Sequence, residues 1–160
     1  LHCVSSGVCH FFLTEVLMKT LLFVYGTLRP GLWNNVLLQN ADARYVGEGY
    51  INGVLMNLGG IPGVKLIDTD KHVHGDVYEV GEGTLQRCDH LEGYNPAREH
   101  DSMYLRRTTT CWFLDGEDFR RENVNVYEWN DEDINFPVIE GGDYIKYKET
   151  QTHVSFKRRT

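Results

Sequence analysis

From Thr20 onward the chain is cut by glycine and proline into short runs, and this punctuation limits the fold more than any other feature of the sequence. Thr20–Tyr25 is short and almost wholly apolar, the pattern of a buried strand. Gly26 and Pro30-Gly31 end it, and Trp33–Asn40 then has the spacing of a short helix, with Trp33, Val36 and Leu37 apolar and Asn40 as a stop. Arg44–Asn57 reads as one bent strand or two, with Gly47, Gly49 and Gly53 supplying bulges or close backbone approach. Leu58–Gly63 reads as a loop. His72–Val80 alternates, setting Val73, Gly75, Val77 and Glu79 on one face and His74, Asp76, Tyr78 and Val80 on the other.

A second helix is expected over Glu82–Leu91, with Leu85, Cys88 and Leu91 as its buried stripe and Gly93 as its close. Met103–Phe113 is a long strand rich in threonine and aromatics. Asp115-Gly116 marks a turn, and Asn123–Trp129 returns as the partner strand. Gly141–Tyr147 reads as a last short strand. Many strands with two short helices point to an α+β domain with a strongly curved or closed sheet. The 160 residues suffice for one such domain and not for two well-built ones. The division expected is an extension over residues 1–17, the domain over 18–150 and a basic tail over 151–160. Met18 would be a natural start, and the alternative is a genuine N-terminal arm docked on the body.

The charge balance narrows the function. Sixteen basic residues against 23 acidic ones give a net charge of −7, opposite to the surplus that phosphate neutralisation requires, so no nucleic-acid partner is expected. No apolar run approaches the ~18 residues of a membrane-spanning helix, and no membrane partner is expected either. The apolar run after Lys19 is too short for a signal-peptide core. Cys3, Cys9, Cys88 and Cys111 are irregularly spaced and read as reduced thiols of a cytoplasmic protein. Cys3, Cys9 and His10 lack a second ligand pair, and His72 and His74 read as a solvated or packed pair, so no metal is expected.

Two segments carry possible chemistry. Tyr25-Gly26-Thr27-Leu28-Arg29-Pro30-Gly31 runs a buried strand into a glycine-bracketed turn, which can expose consecutive backbone N–H groups to a carboxylate or other anion. It can equally be a plain strand-end turn. In Asp89-His90-Leu91-Glu92-Gly93-Tyr94, Glu92 falls at a helix C-terminus, where the macrodipole disfavours a carboxylate by about 0.3–1 kcal/mol. That is worth less than one pKa unit, so burial would have to supply any larger rise. A carboxylate raised in this way suits a proton shuttle, and a solvated helix-end glutamate is the plainer alternative. Arg29, Arg98, Arg106 and Arg107 have a solvated or sheet-edge role by default. Tyr78 and Tyr104 could line a pocket or pack in the core.

Taken in order, Tyr25–Gly31, Gly47-Glu48-Gly49…Gly53, Ile61-Pro62-Gly63, Val73–Val80, Asp89–Tyr94, Tyr104–Arg107, Val126-Tyr127 and Gly141-Gly142-Asp143-Tyr144 resemble the γ-glutamylcyclotransferase-like (AIG2-like) family over about residues 21–147. The Tyr-Gly-Thr-Leu wording is similar to the γ-glutamylamine cyclotransferase branch. Cys88 and Tyr144 depart from the leucine and tryptophan often found in the family. The resemblance implies a small mixed β-barrel with flanking helices and a pocket at one mouth. It implies conversion of a small γ-glutamyl compound to 5-oxoproline with release of its amine. Carried over by motif, Tyr25, Gly26, Thr27 and Leu28 would bind the glutamyl group and Glu92 would be the acid/base residue, with no cofactor. The sequence leaves the oligomeric state open, as monomer or weak dimer. The competing expectation is a non-catalytic small-ligand or protein-interaction module on the same fold.

Overall fold

The structure, a computed structural model, describes residues 19–116 and 120–157, the last three by their backbone alone. The proposed extension over residues 1–17, with Cys3, Cys9 and His10, lies outside the described residues. Seven strands form one sheet: β1 (Thr20–Val24), β2 (Ala43–Asn52), β3 (Val54–Asn57), β4 (Pro62–Lys65), β5 (His72–Val80), β6 (Tyr104–Phe113) and β7 (Arg121–Trp129). Two α-helices accompany them, α1 (Glu82–Leu91) and α2 (Tyr144–Lys157), with 3-10 turns at Trp33–Leu38 and Glu99–Asp101. No helix among the described residues is long and apolar enough to cross a membrane.

The spatial order is β1-β5-β2-β6-β7-β4-β3, and β7 also pairs with β1. The sheet therefore closes into a five-stranded barrel of β1, β5, β2, β6 and β7. It is mixed because the closure, Leu22 opposite Asn125, is parallel while the other four barrel pairings are antiparallel. β4 joins the same edge of β7 further along, again in parallel, with Val64 opposite Glu128. β1 and β4 thus share one edge of β7 and part from each other above Tyr127. The expected small mixed β-barrel is what forms.

Burial explains why β1 reads as an unbroken apolar run. Phe23 belongs to the cluster that fills the barrel with Ile51, Val73, Val77, Val124 and Val126. Leu22 and Val24 point the other way, into a second cluster with Leu38, Val80, Cys88, Tyr104 and Tyr127. A strand covered on both faces has no polar side to alternate with.

Several expectations change. Trp33–Leu38 is a 3-10 turn, and it buries Asn35 and Leu38 while Trp33 and Val36 stand in solvent. Asn35 goes inward because its Nδ2 donates to the carbonyl of Leu28 (2.8 Å) and to the Tyr78 hydroxyl (3.0 Å). Pro62-Gly63 begins β4 rather than ending a loop. Gly141–Tyr147 is not a strand: Asp143 Oδ1 accepts from the N–H groups of Ile145 (3.1 Å) and Lys146 (3.2 Å), capping α2. Helix α2 runs on to Lys157, and residues 158–160 of the expected basic tail lie outside the described residues. On α1 the buried residues are Thr84, Cys88 and Asp89, while Leu91 is exposed.

Arg29, given a solvated role by default, is buried. Its Nε donates to Asp76 Oδ2 on β5 (2.8 Å) and its Nη1 to Asp143 Oδ1 (3.0 Å), while the Tyr45 hydroxyl donates to the other Asp76 oxygen (2.9 Å). Burial acts to raise Asp143, but the Lys146 N–H and Arg29 hold its carboxyl below the usual range. One guanidinium thus ties the turn after β1 to the barrel wall and to the start of α2. Arg29→Leu leaves the buried carboxylate of Asp76 and the half-buried one of Asp143 without their cation and is expected to cost about 3–5 kcal/mol. Urea denaturation at pH 7 reads this, and a loss below about 1 kcal/mol would show that Asp76 and Asp143 do not depend on it.

Candidate active site

Helix α1 ends in a motif that sets the direction of Glu92. The N–H of Tyr94 donates to the carbonyl of Asp89 (2.9 Å) and that of Gly93 to His90 (3.2 Å), a Schellman close. Gly93 takes φ 62°, where a side chain would be strained. Glu92 is therefore the C-cap of α1, and its own N–H is satisfied by Cys88 (2.9 Å). The Glu92 carboxylate has no hydrogen-bond or ion-pair partner among the described residues. It retains contact with the pocket while protein surrounds it, and burial pushes it up to about 7. Burial, rather than the helix dipole, supplies the rise.

The turn after β1 lies opposite. Its carbonyls are all engaged: Gly26 O accepts from Arg29 N–H (3.0 Å), Thr27 O from Asn34 N–H (3.2 Å) and Leu28 O from Asn35 Nδ2 (2.8 Å). Asn34 Nδ2 also donates to the Thr27 hydroxyl (2.8 Å). The N–H groups of Gly26, Thr27 and Leu28 have no acceptor among the described residues. Uncommitted, consecutive donors are the chemistry of an anion cradle. Gly26 is required by contact, since a Cβ there would lie 2.8 Å from Pro62 Cγ at the start of β4.

Both segments line one cavity of about 210 Å³, with Pro62, Tyr104 and Tyr127 among its other walls. It sits where β1 and β4 part over β7. Drug-sized ligands occupy roughly 300–1,000 Å³, so this space suits a small group with the remainder of a ligand outside.

The tyrosines hold the walls together. Tyr25 donates its hydroxyl hydrogen to the carbonyl of Tyr127 (2.6 Å), and Tyr127 donates its own to Asp89 Oδ1 (2.6 Å). Arg106 Nε stands 3.6 Å from the same Asp89 oxygen. Tyr104 donates to the carbonyl of Pro62 (2.7 Å). Burial raises all three hydroxyls, and charge on Glu92 raises Tyr25 and Tyr104 further. They are neutral donors at physiological pH. Burial also pushes the Cys88 and Cys111 thiols up to about 12, which leaves neither as a thiolate nucleophile. Glu92 is then the one described lining residue with a resolved shift into the neutral range.

The structure thus brings Glu92 together with Tyr25, Gly26, Thr27 and Leu28, and it puts Tyr104 in the pocket wall. Tyr78 faces the second core cluster, hydrogen-bonded to Asn35. Arg29 lies behind the turn. His72 stacks on Tyr50, with ring centroids 4.4 Å apart, as a packed surface histidine. Sequence reasoning missed Asp89, which ties the end of α1 to β7 through Tyr127. Its signal was an acidic residue three positions before Glu92, on the same helix face.

Comparisons with known proteins follow this geometry. The family model described as gamma-glutamyl cyclotransferase, AIG2-like, matches residues 22–146. Over 137 residues the chain is 31% identical to a Methanocaldococcus jannaschii protein named "putative gamma-glutamylcyclotransferase", covering 79% of this chain and 97% of that one. Over 74 residues it is 43% identical to the gamma-L-glutamyl-butirosin B gamma-glutamyl cyclotransferase of Niallia circulans, covering 46% of each chain. It is similar to the crystal structure of an AIG2-like protein from mouse, with a TM-score of 0.62 and 26% identity over 79% of this chain and 88% of that one. It also resembles the Bacillus subtilis protein YkqA, with a TM-score of 0.65 and 25% identity over 85% of this chain and 43% of that one.

The half-buried Glu92 carboxyl has a consequence for stability. Because the folded-state pKa of Glu92 is raised from 4.5 to about 7, the native state binds the proton more tightly than the unfolded chain, and Glu92 lowers stability as pH rises through that window. Glu92→Gln removes the penalty. The variant is expected to melt with the wild type near pH 4 and several degrees above it at pH 8. Equal melting at both pH values would show an unburied carboxylate.

Proposed function

The chain belongs to the gamma-glutamyl cyclotransferase, AIG2-like family, and on that premise we propose that it converts a γ-glutamyl amine or γ-glutamyl amino acid into 5-oxoproline and a free amine, with Glu92 carrying the proton. The observation that supports this most is the pairing, in one small cavity, of an unpartnered carboxyl raised to about 7 with a turn whose N–H groups are uncommitted. A binding module needs the second of these and gains nothing from the first. The Niallia circulans relative is named for gamma-glutamyl cyclotransfer on gamma-L-glutamyl-butirosin B. The catalytic unit in this proposal is the family-matched span, residues 22–146.

The substrate brings its own nucleophile. Glu92, as carboxylate, takes a proton from the α-ammonium. The freed nitrogen attacks the δ-carbonyl carbon, closing a five-membered ring and moving the carbonyl electron pair onto oxygen. That pair returns, the bond to the leaving nitrogen breaks, and Glu92 delivers the proton there. In all, two protons leave the α-nitrogen, which ends as the lactam N–H, and two reach the amine, which leaves as an ammonium. Glu92 carries them one at a time and finishes as it began. No water is consumed. Intramolecular attack can reach effective molarities of about 10⁵–10⁸ M if the chain is held folded. Holding it is the task assigned to Tyr25, Gly26, Thr27 and Leu28, whose N–H groups would bind the glutamyl end and the developing oxyanion. A carboxyl with a pKa near 7 divides evenly between base and acid at neutral pH, where a group doing both is most effective.

Glu92→Gln keeps shape and hydrogen-bonding capacity but cannot accept a proton. Release of 5-oxoproline, followed by mass spectrometry over a panel of γ-glutamyl compounds, is expected to fall about 10²–10⁴-fold, in kcat more than in KM. Glu92→Asp, displacing the carboxylate by about 1 Å, is expected to lose about 100-fold. In the wild type, kcat/KM should rise with pH through about 7 as Glu92 ionises. A Gln variant within a few-fold of wild type would end the proton-shuttle assignment. If neither protein consumed any γ-glutamyl compound, the binding module would become the better account.

A further inference from the structure

The mouth of the cavity is built differently from its floor. Four large apolar side chains from four separate segments stand in solvent and also line the opening. They are Trp33 on the first 3-10 turn (62% exposed), Ile61 before β4 (39%), Leu91 at the end of α1 (39%) and Met103 before β6 (44%). Scattered apolar residues on a surface are ordinary. Convergence on one opening marks a place where apolar matter binds. Leu91 shows the point clearly: helical spacing from Leu85 and Cys88 would put it in the core, yet it stands beside Glu92 at the rim.

Charge sharpens the reading. The described lining contains no lysine, arginine or aspartate, and apart from tyrosines its ionisable group is Glu92. Lys148 lies outside the lining, its Nζ 5.9 Å from the centroid of the Trp33 ring. A substituent carrying a positive charge would find the face of the Trp33 ring already taken by the Lys148 ammonium, a like charge, and no other cation partner among the apolar rim side chains. A carboxylate would find no cation in the lining, Lys148 lying outside it over Trp33, and would stand near the carboxylate of Glu92. Hydrocarbon meets neither objection.

We infer that the amine portion of the substrate is neutral and apolar, aliphatic or aromatic, and that Trp33, Ile61, Leu91 and Met103 hold its hydrocarbon. This rests on the cyclotransferase reading of the cavity, which puts the glutamyl end at the turn and the scissile amide at Glu92, so that the amine leaves past Leu91.

The test compares kcat/KM, by release of 5-oxoproline, for four synthetic probes. These are the γ-glutamyl derivatives of benzylamine (apolar), methylamine (small), putrescine (distal ammonium) and β-alanine (distal carboxylate). One methylene-sized contact in an apolar site is worth about 10–200-fold in discrimination. The benzylamine derivative is therefore expected to exceed each of the other three by at least tenfold. Leu91→Ser and Met103→Ser, both at exposed positions, should each shrink the ratio of benzylamine to methylamine derivative severalfold. If the methylamine, putrescine or β-alanine derivative matched the benzylamine derivative, or if the ratio survived both substitutions, the assignment of the mouth would be overturned while the cyclotransferase reading stood. If none of the probes released 5-oxoproline, both would be overturned together.

Discussion

The edge of β7 that faces away from β6 pairs with two strands in succession, β1 at Asn125 and β4 at Glu128. A single long strand on that edge would have covered it completely. Shared between two, it leaves a fork above Tyr127, and the fork is the cavity. The arrangement also decides what the walls are made of. The end of β1 supplies a turn in which the carbonyls of Thr27 and Leu28 are tied back to the 3-10 segment while the N–H groups of Gly26, Thr27 and Leu28 stay uncommitted among the described residues, and the start of β4 supplies Pro62. Arg29 keeps the turn in place from behind, buried against one carboxylate from β5 and one from the cap of α2. Tyr25 bridges the gap from β1 to the carbonyl of Tyr127 on β7.

Helix α1 completes the site from a third direction. Two features hold its end: the glycine close at Gly93 and the hydrogen bond from Tyr127 to Asp89, one turn before Glu92. Between them they bring a carboxyl into a wall that gives it no ion-pair or hydrogen-bond partner among the described residues. Such a placement works against stability, because an unpaired charge is being kept out of water. A group that only supported the fold would gain from lysine or arginine at a helix C-terminus. The cost at Glu92 is understandable if the carboxyl has to change protonation near neutral pH.

Elements whose periodicity comes from a single environment were legible in the sequence. β5 and α1 occupy the residues expected of them, His72–Val80 and Glu82–Leu91, and Gly93 closes the helix as its position suggests. Glu92 drew notice because its charge is wrong for its place. What could not be read depended on distant partners. The partners of Arg29 lie 47 and 114 residues away. Asn35 turns inward for the Tyr78 hydroxyl, 43 residues away, leaving Trp33 and Val36 outside against their local spacing. β4 is four residues long within a glycine- and proline-rich stretch and exists because β3 and β7 accept it. The error over Gly141–Tyr147 was of another kind: Asp143 is a local capping signal outweighed by the apolar and aromatic residues that follow it.

The account stands on the physical state of one carboxyl. A titration of the Glu92 side-chain carbon by ¹³C NMR, with its resonance assigned by loss in Glu92→Gln, reads that state without reference to any substrate. A midpoint near 7 is what the burial of Glu92 predicts. A midpoint near 4.5, the ordinary value for a glutamate, would mean that the carboxylate is solvated, and would remove the physical basis for treating it as the proton carrier.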